Sequence, residues 1–139
     1  MKLYRGDWNN EFKVKEWIRS RYGFQALFFT TDLALARLYA IHAAQERKMP
    51  GAGAVYETEV NDLWVYQYDF GGKSTYHGPE FRNMIHTFKQ FNHKAVQINN
   101  VIDYPTKSMM RLDFTDVVVV FDFKIIENLR CIDSRIWQP

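Results

Sequence analysis

The chain contains a single cysteine, Cys131, so no intramolecular disulfide can staple it. That usage suits a reducing compartment. Long apolar runs are also missing: the longest, Val117 to Phe121, is five residues, against the ~20 that a membrane helix needs. The first ten residues, MKLYRGDWNN, turn polar too soon for a secretory leader. Nor is there an excess of one charge. Eighteen basic against sixteen acidic residues leave a formal net charge of +2, which gives composition no argument for nucleic acid or a membrane surface as partner. No repeat, low-complexity tract or linker divides the sequence. The expectation is a cytoplasmic protein with no membrane contact, folded as one domain over residues 1–139.

Large apolar side chains are abundant: 47% of residues are hydrophobic and 17% aromatic. Such a chain can offset its ordering entropy and bury roughly two thirds of its unfolded surface. Lys2 to Arg5 reads as a short strand, and Asn10 as the N-cap of a helix carrying Val14, Trp17 and Ile18 on one face and ending at Gly23. Ala26 to Thr30 reads as a strand, and Thr31-Asp32 caps a helix from Leu33 to about Lys48, with Leu33, Ala36, Ala40, Ala43 and Ala44 on one side. Gly53–Val60 and Leu63–Phe70 are strands that pair or turn a corner at Asn61-Asp62, the second placing Trp64, Tyr66, Tyr68 and Phe70 on one face. Gly78-Pro79 opens a third helix with Phe81, Met84, Ile85 and Phe88 as core stripe and Arg82, His86 and Lys89 pointing elsewhere. Lys94–Asn99 and Asp116–Asp122 return to strand, the valines buried on both faces. This irregular interleaving points to an α+β fold rather than a doubly wound sheet.

Two familiar motifs are spelled incompletely. Phe70-Gly71-Gly72-Lys73-Ser74-Thr75 resembles a phosphate-binding loop, but its first glycine would fall at Gln67 and no amphipathic helix follows directly. Asp69-Phe70-Gly71 matches a kinase triplet in a chain too short for a kinase. His42, His77, His86 and His93 lack metal-ligand spacing, so no metal is expected. Glu57-Thr58-Glu59 is a literal E-x-E whose alternate side chains share one strand face, read here as solvated.

Three separated pieces together resemble the ADP-ribosyltransferases over about residues 2 to 130. Lys2-Leu3-Tyr4-Arg5-Gly6-Asp7 is similar to the opening strand of the cholera-toxin-like branch. Leu27-Phe28-Phe29-Thr30-Thr31-Asp32, with Ala36 and Tyr39-Ala40 on the next helix, resembles the family's second strand. Ala95 to Asp103, followed by a loop, Val117–Asp122 and Lys124-Ile125-Ile126, looks like the end of small bacterial and phage members. The resemblance implies a pair of packed, mainly antiparallel sheets forming an NAD cleft, flanked by about three helices. It implies a mono-ADP-ribosyltransferase, toxin-like or phage-encoded and then acting in the host cytosol as a modifier or inhibitor of a host complex. NAD would be the co-substrate and a macromolecule the acceptor, protein first, with nucleic acid left open.

The chemistry suits these residue types. Cleavage of the nicotinamide–ribose bond passes through an oxocarbenium-like transition state that a nearby carboxylate stabilises. Asp103 matches the last position of the family's acidic motif and is the expected catalytic carboxylate, with Asp116 and Asp113 as alternatives. Val101 stands where a first glutamate would engage an arginine acceptor, which leaves the acceptor's identity open. Arg5, with its permanent charge and fork of donors, suits the phosphates or ribose. Phe28 or Phe29 would stack on nicotinamide and Thr30 or Thr31 hydrogen-bond across the cleft floor. Tyr4, Gly6 and Asn99 complete the expected NAD-binding set. The loop Tyr104–Phe114, with Lys107, Arg111 and the pair Met109-Met110, is expected to meet the acceptor. Two rivals stand beside this reading: an NAD glycohydrolase with water as acceptor, and an inactive binding module on the same fold.

Overall fold

The computed structural model describes residues Met1 to Pro139. Seven strands and two helices form an α+β arrangement of two sheets. The first sheet has the order β1-β3-β7, from β1 (Lys2–Asp7), β3 (Ala54–Glu59) and β7 (Glu127–Ser134), all antiparallel. The second has the order β2-β6-β5-β4, from β2 (Leu27–Phe29), β4 (Val65–Asp69), β5 (Ala95–Val101) and β6 (Thr115–Val120). Only β4 and β5 run parallel, joined through helix α2 (Glu80–Gln90). The β3–β4 connection turns a corner: Asn61 caps a short 3-10 turn, Asp62–Trp64, and the chain passes from one sheet into the other. No helix is long and apolar enough to cross a membrane.

The strands β1 and β2 meet at one point only, where Tyr4 and Thr30 exchange backbone hydrogen bonds of 2.7 and 2.9 Å. On either side of that bridge they diverge, so the two sheets share a seam that opens into a notch. Packing fills the rest. Leu3, Leu27, Phe29, Val60, Ala95, Val118, Val120 and Ile125 form the core between the sheets. Phe81, Ile85 and Phe88 of α2 close over Val96, Ile98, Val117, Val119 and Phe121 on the far face of the second sheet, as the expected stripe requires, with Met84 partly buried beside them. Helix α1 (Leu33–Glu46) lies on β1 and β3 through Ala36 and Ala40 against Val55. Small residues are needed there, since a Cβ on Gly6 would come 2.2 Å from the Ala36 carbonyl oxygen and 2.4 Å from the Ala40 nitrogen.

Several expectations need correction. Two helices are present, not three: the segment after Asn10 contains only turns. There Phe12, Val14 and Ile18 pack on the core and Trp17 is 70% exposed. The Phe12 N–H donates to the Tyr56 hydroxyl at 2.9 Å, tying the segment to β3 in an irregular path. On α1 it is Leu35, not Leu33, that is buried with Ala36, Ala40 and Ala44. His86 stacks edge-on against Tyr22 and Phe24 instead of pointing away. Trp64 lies in the 3-10 turn, and Phe70 alone of its expected face is buried. Strand β7 had no clear sequence signal, because this edge strand is largely exposed and shows no apolar alternation. Glu57 is buried and paired with Arg130 at 2.8 Å, whose guanidinium holds its carboxyl below the ordinary range, so the E-x-E face is not fully solvated.

Candidate active site

The notch at the seam deepens into a cavity of about 610 Å³, large enough for a dinucleotide-sized ligand. Strand β1 contributes Tyr4, Arg5 and Gly6 to its wall. Strand β2 and its flanks contribute Phe28, Phe29 and Thr30, and helix α1 contributes Tyr39 and His42. Arg19 and Arg21 arrive from the irregular segment, Thr75 and Tyr76 from the turn after β4, and Asp103 from the end of β5. Residues from Tyr4 to Val117 thus share one lining, because the seam is where both sheets and α1 converge.

Arg5 sits where β1 and β2 part. Its Nη1 donates to the Phe28 carbonyl at 3.0 Å, bracing the open seam, and its guanidinium lies 5.0 Å from the Phe12 ring centre. The Nε is buried and has no partner. A buried donor without an acceptor costs roughly 1–3 kcal/mol. Burial lowers the pKa of this guanidinium, partly offset by the carboxylate of Asp7.

Asp103 is 7% exposed. Its Oδ1 accepts from the Tyr39 hydroxyl at 2.8 Å and from the Thr75 hydroxyl at 2.9 Å. Both bonds go to one oxygen, which leaves Oδ2 without a side-chain donor in a residue that lines the cleft. Burial raises its pKa above the ordinary carboxylate value, opposed by the two hydroxyls, the Tyr104 N–H and the charge of Arg21. The Tyr39 hydroxyl is pushed far up, by burial first and then by the adjacent Asp103, so it stays a proton donor. At the mouth, Tyr76 and Tyr104 rings lie 5.0 Å apart and the Tyr76 hydroxyl donates to the Tyr104 carbonyl at 2.6 Å.

The alternative carboxylates are placed differently. Asp116 accepts four hydrogen bonds: on Oδ1 from the Thr30 hydroxyl and Thr31 N–H, each at 2.8 Å, and on Oδ2 from the Thr31 hydroxyl and from Gln97 at 2.7 Å. Its lone pairs are committed to holding β2, β5 and β6 together, which suits a structural part. Asp113 is exposed and lies outside the cleft lining.

The structure therefore brings Tyr4, Arg5, Gly6, Phe28, Phe29, Thr30, Asp103 and Asp116 to one cavity. Phe29 belongs at the same time to the core, whereas Phe28 is half-buried and available as a ring wall. The Thr30 and Thr31 hydroxyls serve Asp116, and Thr31 and Asn99 are not among the cleft residues. Asn99 instead donates to Gln67 at 2.7 Å. Sequence reading gave no role to Tyr39, Thr75, Arg19, Arg21 or Tyr76. Tyr39 had a signal, since it lies on the helix that follows the aromatic-threonine strand. Thr75 had none locally: it reaches Asp103 because the turn after β4 pairs with the end of β5, with Thr75 N–H to the Ile102 carbonyl at 3.0 Å.

The cleft offers three guanidinium groups and one imidazole at its wall against one carboxylate, Asp103, whose Oδ2 has no side-chain donor. That combination can hold an anion and present one negative charge to a cationic reacting centre. No family model matches the sequence, and no curated protein matches it.

Proposed function

We propose that this protein is a mono-ADP-ribosyltransferase that binds NAD in the seam cleft, cleaves the nicotinamide–ribose bond and passes ADP-ribose to a macromolecular acceptor. The observation that carries the reading is the convergence on one cavity of the Arg5 guanidinium and the Asp103 carboxylate, whose Oδ2 has no side-chain donor. Arg5 would take the pyrophosphate, with Arg21 as a second guanidinium in the same lining, where each bond to a charged group contributes about 1.5–3 kcal/mol. Phe28 would lie against the nicotinamide ring.

Catalysis then needs little covalent chemistry from the protein. As the glycosidic bond lengthens, positive charge grows on the ribose and the neutral nicotinamide departs. Asp103 Oδ2 would bind a ribose hydroxyl and face that charge, stabilising the transition state more than the ground state. Tyr39 and Thr75 hold Oδ1 and so fix the direction of Oδ2.

NAD hydrolysis is the second reading, and Val101 favours it. That side chain, at the position of the family's first acidic residue, is fully buried in the core and offers nothing to an acceptor. Purified protein incubated with NAD separates the cases. Nicotinamide release that depends on added lysate supports the transferase, and release without lysate supports the hydrolase. Calorimetric NAD binding with no release in either condition would leave a binding module, and no binding at all would overturn the proposal.

A further inference from the structure

The second sheet ends at β4, and nothing in the chain covers that edge: Tyr66, Gln67, Tyr68 and Asp69 are all exposed. Phe70 N–H bonds to the Asn99 carbonyl of β5 at 2.9 Å. By alternation, Tyr68 and Tyr66 also direct their backbone groups toward β5, and Gln67 and Asp69 direct theirs outward. An open edge of this kind is normally blunted by lysine, proline or a bulge. Strand β4 (VYQYD) has none of these, and its register with β5 is unbroken over all five residues.

The other free edge is defended. Strand β7 carries two register irregularities against β3, a positive φ at Asn128 and charged Glu127, Arg130 and Asp133. The contrast assigns the exposed β4 edge to a partner, and the strand's own chemistry selects which.

We propose that β4 pairs antiparallel with β4 of a second copy of this chain, about a two-fold axis through Gln67, joining two four-stranded sheets into one. In this register Gln67 faces its own copy and exchanges two hydrogen bonds. Asp69 faces Val65, and each Asp69 N–H can reach a Val65 carbonyl, adding two more. The Val65 N–H is already committed to the Asp62 carbonyl, so it is not left wanting. Tyr66 faces Tyr68 on both sides of the axis in the non-hydrogen-bonded positions, where side chains lie closest. Both tyrosines are already steadied on Phe88, at 6.0 and 5.2 Å between ring centres, so little side-chain freedom is lost on pairing. No like charges are opposed. The one acidic residue, Asp69, is opposite an apolar one and already accepts from Asn100 and the Gly71 N–H. Such an isologous contact closes at two subunits.

Sedimentation equilibrium over micromolar concentrations should give twice the chain mass of 16.6 kDa. A Y66K/Y68K variant places lysine opposite lysine at both tyrosine pairs and should weaken dimerisation at least tenfold. A Y66K/Y68E variant removes the same two rings but places lysine opposite glutamate, and should restore the dimer; circular dichroism checks that both fold. A monomeric wild type, a Y66K/Y68K protein that still dimerises, or two double variants equally monomeric would each overturn the proposal. Mass gained only on adding single-stranded oligonucleotide would do so as well, since exposed tyrosines also stack on bases.

Discussion

Burial acts against the charge of Asp103, and that sets two measurable consequences. Its pKa is higher in the folded protein than the ~3.9 of an unfolded chain, so the folded state holds this proton more tightly. The stability this group contributes is therefore greatest at low pH and falls as the pH rises from about 4 through the raised value. Asp103→Asn, which keeps an acceptor for Tyr39 and Thr75, should melt at or above the wild-type temperature at pH 7 and lose that advantage near pH 4 in a thermal scan. The same variant should release no nicotinamide. A melting temperature well below wild type at pH 7 would mean that the carboxylate stabilises the fold. In the proposed mechanism the ionised form acts, so activity should fall as pH drops through the raised value. Tyr39→Phe removes a donor that opposes the shift. The acid limb of its pH–rate profile should move to higher pH, whereas an unmoved limb would place the rate-controlling ionisation elsewhere.

At the scale of elements, Asp116 and Gly6 show how strands and helix are pinned around the cleft. Asp116→Ala strands four donors from Thr30, Thr31 and Gln97 at the meeting of β2, β5 and β6. Urea unfolding should find it at least ~3 kcal/mol less stable, the sum of more than one lost bond at a largely buried site. Stability within ~0.5 kcal/mol of wild type would return Asp116 to the list of catalytic candidates. Strands with continuous apolar runs, and helices with a capping Asp32 or an apolar stripe from Phe81 to Phe88, were legible because local pattern and tertiary burial agree there. The segment from Asn10 to Gly23 was misread because Val14, Trp17 and Ile18 fit a helical face by spacing. Its backbone is instead tied to β3 by the Phe12 N–H bond to the Tyr56 hydroxyl, which spacing does not encode. The site was half legible for the same reason: Arg5 and Asp103 lie in recognisable strand contexts, while Thr75 and Arg21 enter the cleft only through long-range loop packing.

The whole molecule presents the cleft beside a loop, Tyr104–Phe114, that begins at Asp103 and divides into two functions. Arg111, expected to face an acceptor, pairs with Asp32 at 3.0 Å, and with burial opposing them the Leu35 N–H, Thr115 and this guanidinium hold the Asp32 carboxyl below its ordinary value. It anchors the loop to the N-terminus of α1. Met109 is half-buried, but Lys107 is exposed, as are Met110, Leu112 and Phe114 at 55%, 72% and 64%. Apolar side chains left outside on an anchored loop suit contact with a macromolecule better than with the NAD proposed for the deeper seam. A K107E/L112S variant should keep NAD affinity and acceptor-independent cleavage while losing at least tenfold in transfer to its acceptor, measured with labelled NAD and lysate. R111E should behave differently, because it sets a carboxylate against Asp32 and releases the loop, lowering the melting temperature along with turnover. An unchanged labelling pattern in K107E/L112S would place the acceptor on another face of the molecule. The same result in a wild type shown to dimerise through β4 would direct attention to surfaces that the second copy brings near the cleft.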